Sequence, residues 1–152
     1  GLRVSELVDL RAEDVDLRNR VVAVRHGKGD RARLVRFDAA TAAALDRYKR
    51  VRARHRLAGL PWLWIGHRGR LTRKGVPTIL DKRADLAGVG HVHPHQLRHT
   101  WADRWLRLGG SEGDLQRLGG WESAEIMRRY GEARAVDRAL VAYDTINPMG
   151  EL

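Results

Sequence analysis

His95 and Arg98, three residues apart, give the first sign of chemistry in this chain. They follow Pro94 in the run His95-Gln96-Leu97-Arg98-His99-Thr100. If that run is a helix, residues three apart project from one face, so both side chains can reach one ligand while Leu97 and Trp101 anchor the other side. Unsatisfied N–H groups and the helix dipole favour an anion there, and a phosphate is the natural guest. Read alone, the run also fits a capped helix with a surface His and Arg. His91, His93, His95 and His99 alternate as metal ligands can, but the run holds no Asp or Glu and Pro94 restricts the backbone among them. Tyr130 stands beside Arg128 and Arg129, just before Gly131. A tyrosine at a helix end ordinarily packs; guanidinium groups beside it would favour its phenolate and bring a phosphate close. Lys28 sits in Gly27-Lys28-Gly29, which lacks the spacing and following helix of a nucleotide-binding loop. It is a flexible lysine on a turn, and such turns are commonly only solvent-exposed.

The composition narrows the partner. The 152 residues hold 29 Lys plus Arg against 19 Asp plus Glu, a formal net charge of +10. Lysine occurs only as Lys28, Lys49, Lys74 and Lys82, so the excess is arginine. The planar guanidinium fork binds two phosphate oxygens at once, which makes nucleic acid the leading partner class. Codon bias could explain arginine over lysine but explains the net charge less well. No cysteine is present, which removes disulfides, thiolate nucleophiles and Cys-rich zinc sites and fits a reducing cytoplasm. No apolar run approaches the roughly 20 residues that cross a bilayer, and Arg3, Glu6 and Asp9 interrupt any signal-peptide core. A soluble protein without an export address is expected.

The elements that must carry these groups follow from periodicity and punctuation. Gly1 to Leu10 predicts a short amphipathic helix ending before the acidic turn Glu13, Asp14, Asp16. A chain opening inside a core helix suggests that something upstream is missing. Val21, Val22 and Val24, then Leu34, Val35 and Phe37, predict a β-hairpin with Lys28 at its tip. Asp38 to about Leu57 predicts a long helix bearing Arg47, Lys49, Arg50, Arg52, Arg54 and Arg56 on a solvated face, ended by Gly59 and Pro61. A short strand is expected at Trp62 to Ile65 and a helix from about Thr72 to Ala87, closed by Gly88 and Gly90. Leu97, Trp101, Ala102, Trp105 and Leu108 predict a core helix from His95 to Leu108. Ser111 should cap a helix through Leu118, with further helices at Glu122 to Tyr130 and Ala135 to Ile146. The sum is a single α+β domain over residues 1–152, mostly α-helical with a small antiparallel β-sheet near the N-terminus.

Five pieces stand in a telling order: Gly1-Leu2-Arg3-Val4-Ser5-Glu6-Leu7, the Gly27-Lys28-Gly29 turn, His95-Gln96-Leu97-Arg98-His99-Thr100, Leu118-Gly119-Gly120-Trp121, and Tyr130 nine residues later. In these the chain resembles the catalytic domain of tyrosine recombinases, the phage integrase family, from residue 1 to about residue 134. Each motif is weak alone and the ordered set is strong. The resemblance implies the tyrosine recombinase catalytic-domain fold and an enzyme that breaks and rejoins DNA at specific sites. It implies that Arg3 and Arg98 clamp the scissile phosphate, His95 assists, Lys28 donates a proton, Trp121 fills the second His/Trp position and Tyr130 is the nucleophile. Glu6 would be a structural partner. No metal or other cofactor is implied, because a 3′-phosphotyrosyl link conserves the phosphoester energy. The implied partner is double-stranded DNA, bound by a homo-oligomer, a tetramer on DNA, in the cytoplasm and away from membranes.

Two departures matter. The family more often has His where this chain has Trp121, and an indole cannot shuttle protons at neutral pH, which leaves His95 and Lys28 for proton transfer. The family's upstream DNA-binding domain has no counterpart, so an N-terminally truncated domain is expected and recombination by this chain alone is not. A type IB topoisomerase would share the chemistry. A non-catalytic DNA-binding module of the same fold is the other rival, against which the joint presence of Arg3, Lys28, His95, Arg98 and Tyr130 argues. The tail from Ala135 could dock on a neighbouring subunit or pack on its own domain.

Overall fold

The computed structural model describes residues 1–25, 32–121 and 135–146. They fall into two compact units, one of Leu2–Gln96 and one of Gly1 with Leu97–Leu152. In the first unit, helix α1 (Val4–Asp9) is followed by a 3-10 turn (Ala12–Asp14) and a three-stranded antiparallel sheet of β1 (Val15–Asp16), β2 (Val21–Val24) and β3 (Arg33–Arg36), in that order. Val22 pairs with Val15 on one side and Val35 on the other. The alternation of strand side chains turns Val22, Val24 and Val35 inward, where they join Leu10, Val15 and Leu63 in one buried cluster. The turn before β2 is closed by Arg20, whose φ of 55° puts a non-glycine residue in the left-handed region. The β2–β3 pairing fulfils the expected hairpin, although its tip with Lys28 lies outside the described residues.

Helix α2 (Ala39–Ala53) begins where Asp38 accepts a hydrogen bond from the Thr41 amide at 2.7 Å. That is the N-cap role for which a short carboxylate suits. It ends earlier than Leu57, and its basic run is not wholly a solvated face. Arg52 is buried and donates to the carbonyls of Ala58, Leu60, Trp62 and Leu63. Four residues before it, the Tyr48 hydroxyl donates to the Leu63 carbonyl and accepts from the Ile65 amide, both at 3.0 Å. These two side chains satisfy backbone groups of a segment with little regular structure. The expected strand there is reduced to an isolated bridge between Arg11 and Trp62 and a two-residue β4 (Ile65–Gly66) paired with β5 (Gly69–Arg70). Helix α3 (Gly75–Ala87) starts slightly later than expected and ends on Gly88, at φ 64°.

Helix α4 (Pro94–Arg107) carries the His95 to Arg98 run. In the second unit its inward residues are Arg98, Ala102 and Leu106, four apart, with Trp101, Trp105 and Trp121 packed around Ala102, Leu106 and Leu115. Leu97 and Leu108, expected in the core, are instead exposed. The stripe is rotated by one position because a buried arginine occupies the place a leucine was expected to fill. Helix α5 (Glu112–Gly119) is capped by the Ser111 hydroxyl, which accepts from the Asp114 amide at 3.1 Å, and stops at Gly120, φ 63°. The last described helix, Ala135–Ile146, turns Val136, Leu140, Tyr143 and Ile146 outward, each more than half exposed. Its expected predecessor, Glu122 to Tyr130, lies outside the described residues.

Candidate active site

Arg3 is the N-cap residue of α1. Glu6, three residues on, folds back so that Oε2 accepts from the Arg3 amide at 2.8 Å and Oε1 from Arg3 Nη1 at 2.9 Å. The backbone contact is the carboxylate half of a capping box. Arg33, the first residue of β3, meets the same carboxylate with both ends of its fork, Nη1 to Oε1 at 3.0 Å and Nη2 to Oε2 at 2.7 Å. Glu6 is almost fully buried, its side chain only 2% exposed. Burial works to raise the pKa of its carboxyl. The hydrogen bonds from Arg33 and from Arg3, with the Arg33 charge, outweigh that effect and hold the carboxyl below its ordinary 4.5. Glu6 is thus the structural partner expected of it, while Arg33 escaped the sequence reading. The signal was available: Arg33 shares the inward face of its strand with Val35, and a charge at an inward position needs a partner.

Arg98 is anchored differently. It lies in the second turn of α4, one turn deeper than expected, and is buried. Nη1 donates to the Gly1 carbonyl and Nη2 to the Gly119 carbonyl. Its Cζ lies 4.0 Å from the centroid of the Trp121 ring, in cation–π geometry. Trp121 in turn stacks on Trp101, with centroids 6.0 Å apart and planes 15° from parallel. The Gly119-Gly120 pair now has a physical explanation. Gly120 takes the left-handed conformation that ends α5, and a Cβ on Gly119 would strike the Trp121 ring. Glycine lets the backbone lie against the indole while its carbonyl receives Arg98.

His95 is exposed in the first turn of α4. Just before it, the Gln96 side chain accepts from the His93 amide at 2.6 Å, closing the start of the helix. The other histidines of the run have their own partners: His91 Nδ1 meets Asp81 Oδ1 at 2.6 Å, and its ring packs edge-on with His93. Among the described residues no three His, Cys, Asp or Glu side chains gather as a metal site requires. Lys28 and Tyr130 lie outside the described residues. The structure therefore brings Arg98 and Trp121 together, and joins Arg3 to Glu6 and Arg33. Tyr48, another tyrosine, has its hydroxyl committed twice to backbone groups, which makes it a packing residue. Among the described residues no helix is long and apolar enough to cross a membrane.

Comparison with known proteins gives the family and the fold. Residues 1–135 match the model of the phage integrase family. The chain is 36% identical over 150 residues to the tyrosine recombinase XerC of Corynebacterium efficiens, covering 97% of this chain and 47% of that protein. Similarity to XerC of a Roseiflexus species reaches 37% over 135 residues, covering 86% of this chain and 43% of the relative. The chain thus spans about half the length of the curated relatives it matches. Among solved structures, XerA recombinase superposes with a TM-score of 0.77 at 30% identity, over 95% of this chain and 53% of that one. XerH site-specific recombinase bound to its palindromic difH substrate superposes at 0.74, with 21% identity over 93% of this chain and 41% of that one, a likeness of fold. The fold is that of a tyrosine recombinase catalytic domain, and the chain belongs to the phage integrase family.

Proposed function

We propose that this chain is the catalytic domain of a site-specific DNA recombinase or integrase, cutting and rejoining strands through a 3′-phosphotyrosyl intermediate. Arg3 and Arg98 bind the scissile phosphate and stabilise the charge that grows on its oxygens as phosphorus becomes pentacoordinate. The Tyr130 phenolic oxygen attacks phosphorus, the bond to the 5′-oxygen breaks, and Lys28 supplies the proton to that leaving oxygen. His95 assists at the phosphate, and Trp121 supports Arg98. Attack by a second 5′-hydroxyl reverses the step and exchanges strands, so the bond energy is kept and no cofactor has to be consumed. The partner is double-stranded DNA in the cytoplasm, bound by a homo-oligomer, a tetramer on DNA. The outward apolar face of the helix Ala135–Ile146 is suited to docking on a neighbouring subunit.

The observation that carries this reading is the setting of Arg98, immobilised by two carbonyls and an indole although a surface phosphate binder needs neither. Such preorganisation is what transition-state stabilisation requires and what simple DNA binding does not. The test is incubation with nicked DNA carrying a candidate site, followed by denaturing electrophoresis. The parent protein should form a covalent adduct, and Tyr130→Phe should bind DNA equally well and form none. An adduct from Tyr130→Phe would refute the assignment of the nucleophile.

A further inference from the structure

Arg33 belongs to none of the motifs above, yet it makes the more symmetrical pairing with Glu6, two hydrogen bonds from one planar fork to one planar carboxylate. Its side chain is 11% exposed against 26% for Arg3. Each Glu6 oxygen therefore accepts once from Arg33 and once from Arg3: Oε1 from the two Nη1 atoms, Oε2 from Arg33 Nη2 and the Arg3 amide. A carboxylate held only by the Arg3 amide and one Nη1 could turn about its own axis and carry the Arg3 guanidinium with it. The fork of Arg33 fixes the plane of the carboxylate, because bidentate guanidinium–carboxylate pairing is planar and directional. It also ties that plane to the sheet, since Arg33 is paired with Val24 in the β2–β3 ladder.

We propose that Arg33 is a positioning residue for DNA cleavage: by fixing the Glu6 carboxylate it aims Arg3 at the scissile phosphate. This rests on the reading that Arg3 binds that phosphate. Arg33 itself need not touch DNA. Its effect should therefore appear only where the charge on the phosphate matters, and should vanish once Arg3 is gone.

The experiment measures the rate of covalent adduct formation on two nicked DNA substrates, one ordinary and one with an uncharged methylphosphonate at the scissile position. Arg33→Met should slow cleavage of the ordinary substrate by about 10–100-fold, the penalty of a small misplacement of a catalytic group. The half-saturating DNA concentration should stay unchanged. On the methylphosphonate, which lacks the charge Arg3 answers, Arg33→Met and Arg3→Ala should both run close to the parent. Arg3→Ala with Arg33→Met should be no slower on ordinary DNA than Arg3→Ala alone. Arg33→Lys, which keeps the charge but not the fork, should reproduce much of the loss, and its thermal melt shows whether the fold is intact. Equal losses on both substrates, multiplying losses in the double variant, or an Arg33→Lys as fast as the parent would each overturn the proposal. A parent that forms no adduct would instead overturn the cleavage reading, and this proposal with it.

Discussion

Arg3 and Arg98 are assigned the same task, yet the surroundings that hold them have little in common. Arg3 is held by a buried carboxylate that a second arginine shares, whereas the contacts described for Arg98 are two backbone carbonyls and the face of an indole. The first arrangement depends on the charge of Glu6 and is therefore sensitive to acid. The second uses dipoles and a π quadrupole, which do not titrate, but it depends on the close fit of Gly119 beneath Trp121. One arginine is fixed by charge and the other by shape, so different perturbations should loosen each.

Arg98 should be the more sensitive of the two. Arg98→Lys keeps the charge but loses the fork and the flat stacking surface, so adduct formation should fall on the order of 10²–10³-fold, as when an oxyanion donor is removed. DNA affinity should fall much less. A lysine variant that cleaves like the parent would show that charge alone suffices at Arg98 and that its surroundings are incidental. A smaller effect is expected from Gly119→Ala, whose added methyl meets the Trp121 ring. Overpacking of this kind costs about 1–3 kcal/mol, visible as a lowered melting temperature and altered tryptophan fluorescence. Cleavage should weaken with it, and unchanged fluorescence and melting would show that the indole moves away without penalty.

Acid gives the smallest and most selective effect. Because the folded Glu6 carboxyl sits below its ordinary 4.5, its stabilising contribution is complete above that value and is lost as pH falls through the lower folded value. Melting temperatures followed from neutral pH to below pH 4 should drop more steeply for the parent than for Glu6→Gln. Asp16 and Asp38 are also held low, by hydrogen bonds from Asn19 and Thr41 respectively. They contribute equally to both curves, so the difference isolates Glu6. Parallel curves would mean that the carboxylate is not coupled to folding.

What the sequence revealed and what it hid follow one physical distinction. Local signals are legible: Ser111 as a cap, Gly88 as a helix end and the β-branched valines of the hairpin all act within a few residues. The family motifs named Arg3 and Arg98 but not what holds them, because Glu6 meets Arg33 across 27 residues and Arg98 meets Gly1 across 97. Arg52 departs from the solvated face expected of its run for a different reason, since its acceptors lie only 6 to 11 residues away. In a run of arginines, nothing in the spacing distinguishes the one whose helical phase turns it inward. The rule that apolar residues fill cores puts Leu97 inside and Arg98 outside, and it fails where a buried cation finds carbonyls and a ring.

That inward arginine has a consequence for how the first unit breathes. Arg52 gathers the carbonyls of Ala58, Leu60, Trp62 and Leu63, and the same stretch exchanges backbone hydrogen bonds with the segment after α1, Leu63 to Leu10 at 2.8 Å and Ala12 to Pro61 at 2.9 Å. A strap secured by one side chain cannot fray residue by residue, because releasing the guanidinium deprives several acceptors at once. The amides on the two sides of this pairing, Leu63 in the strap and Ala12 opposite it, should therefore exchange with solvent deuterium as one cooperative block rather than along a gradient. A stretch with little regular structure should then behave, kinetically, as indivisibly as a strand.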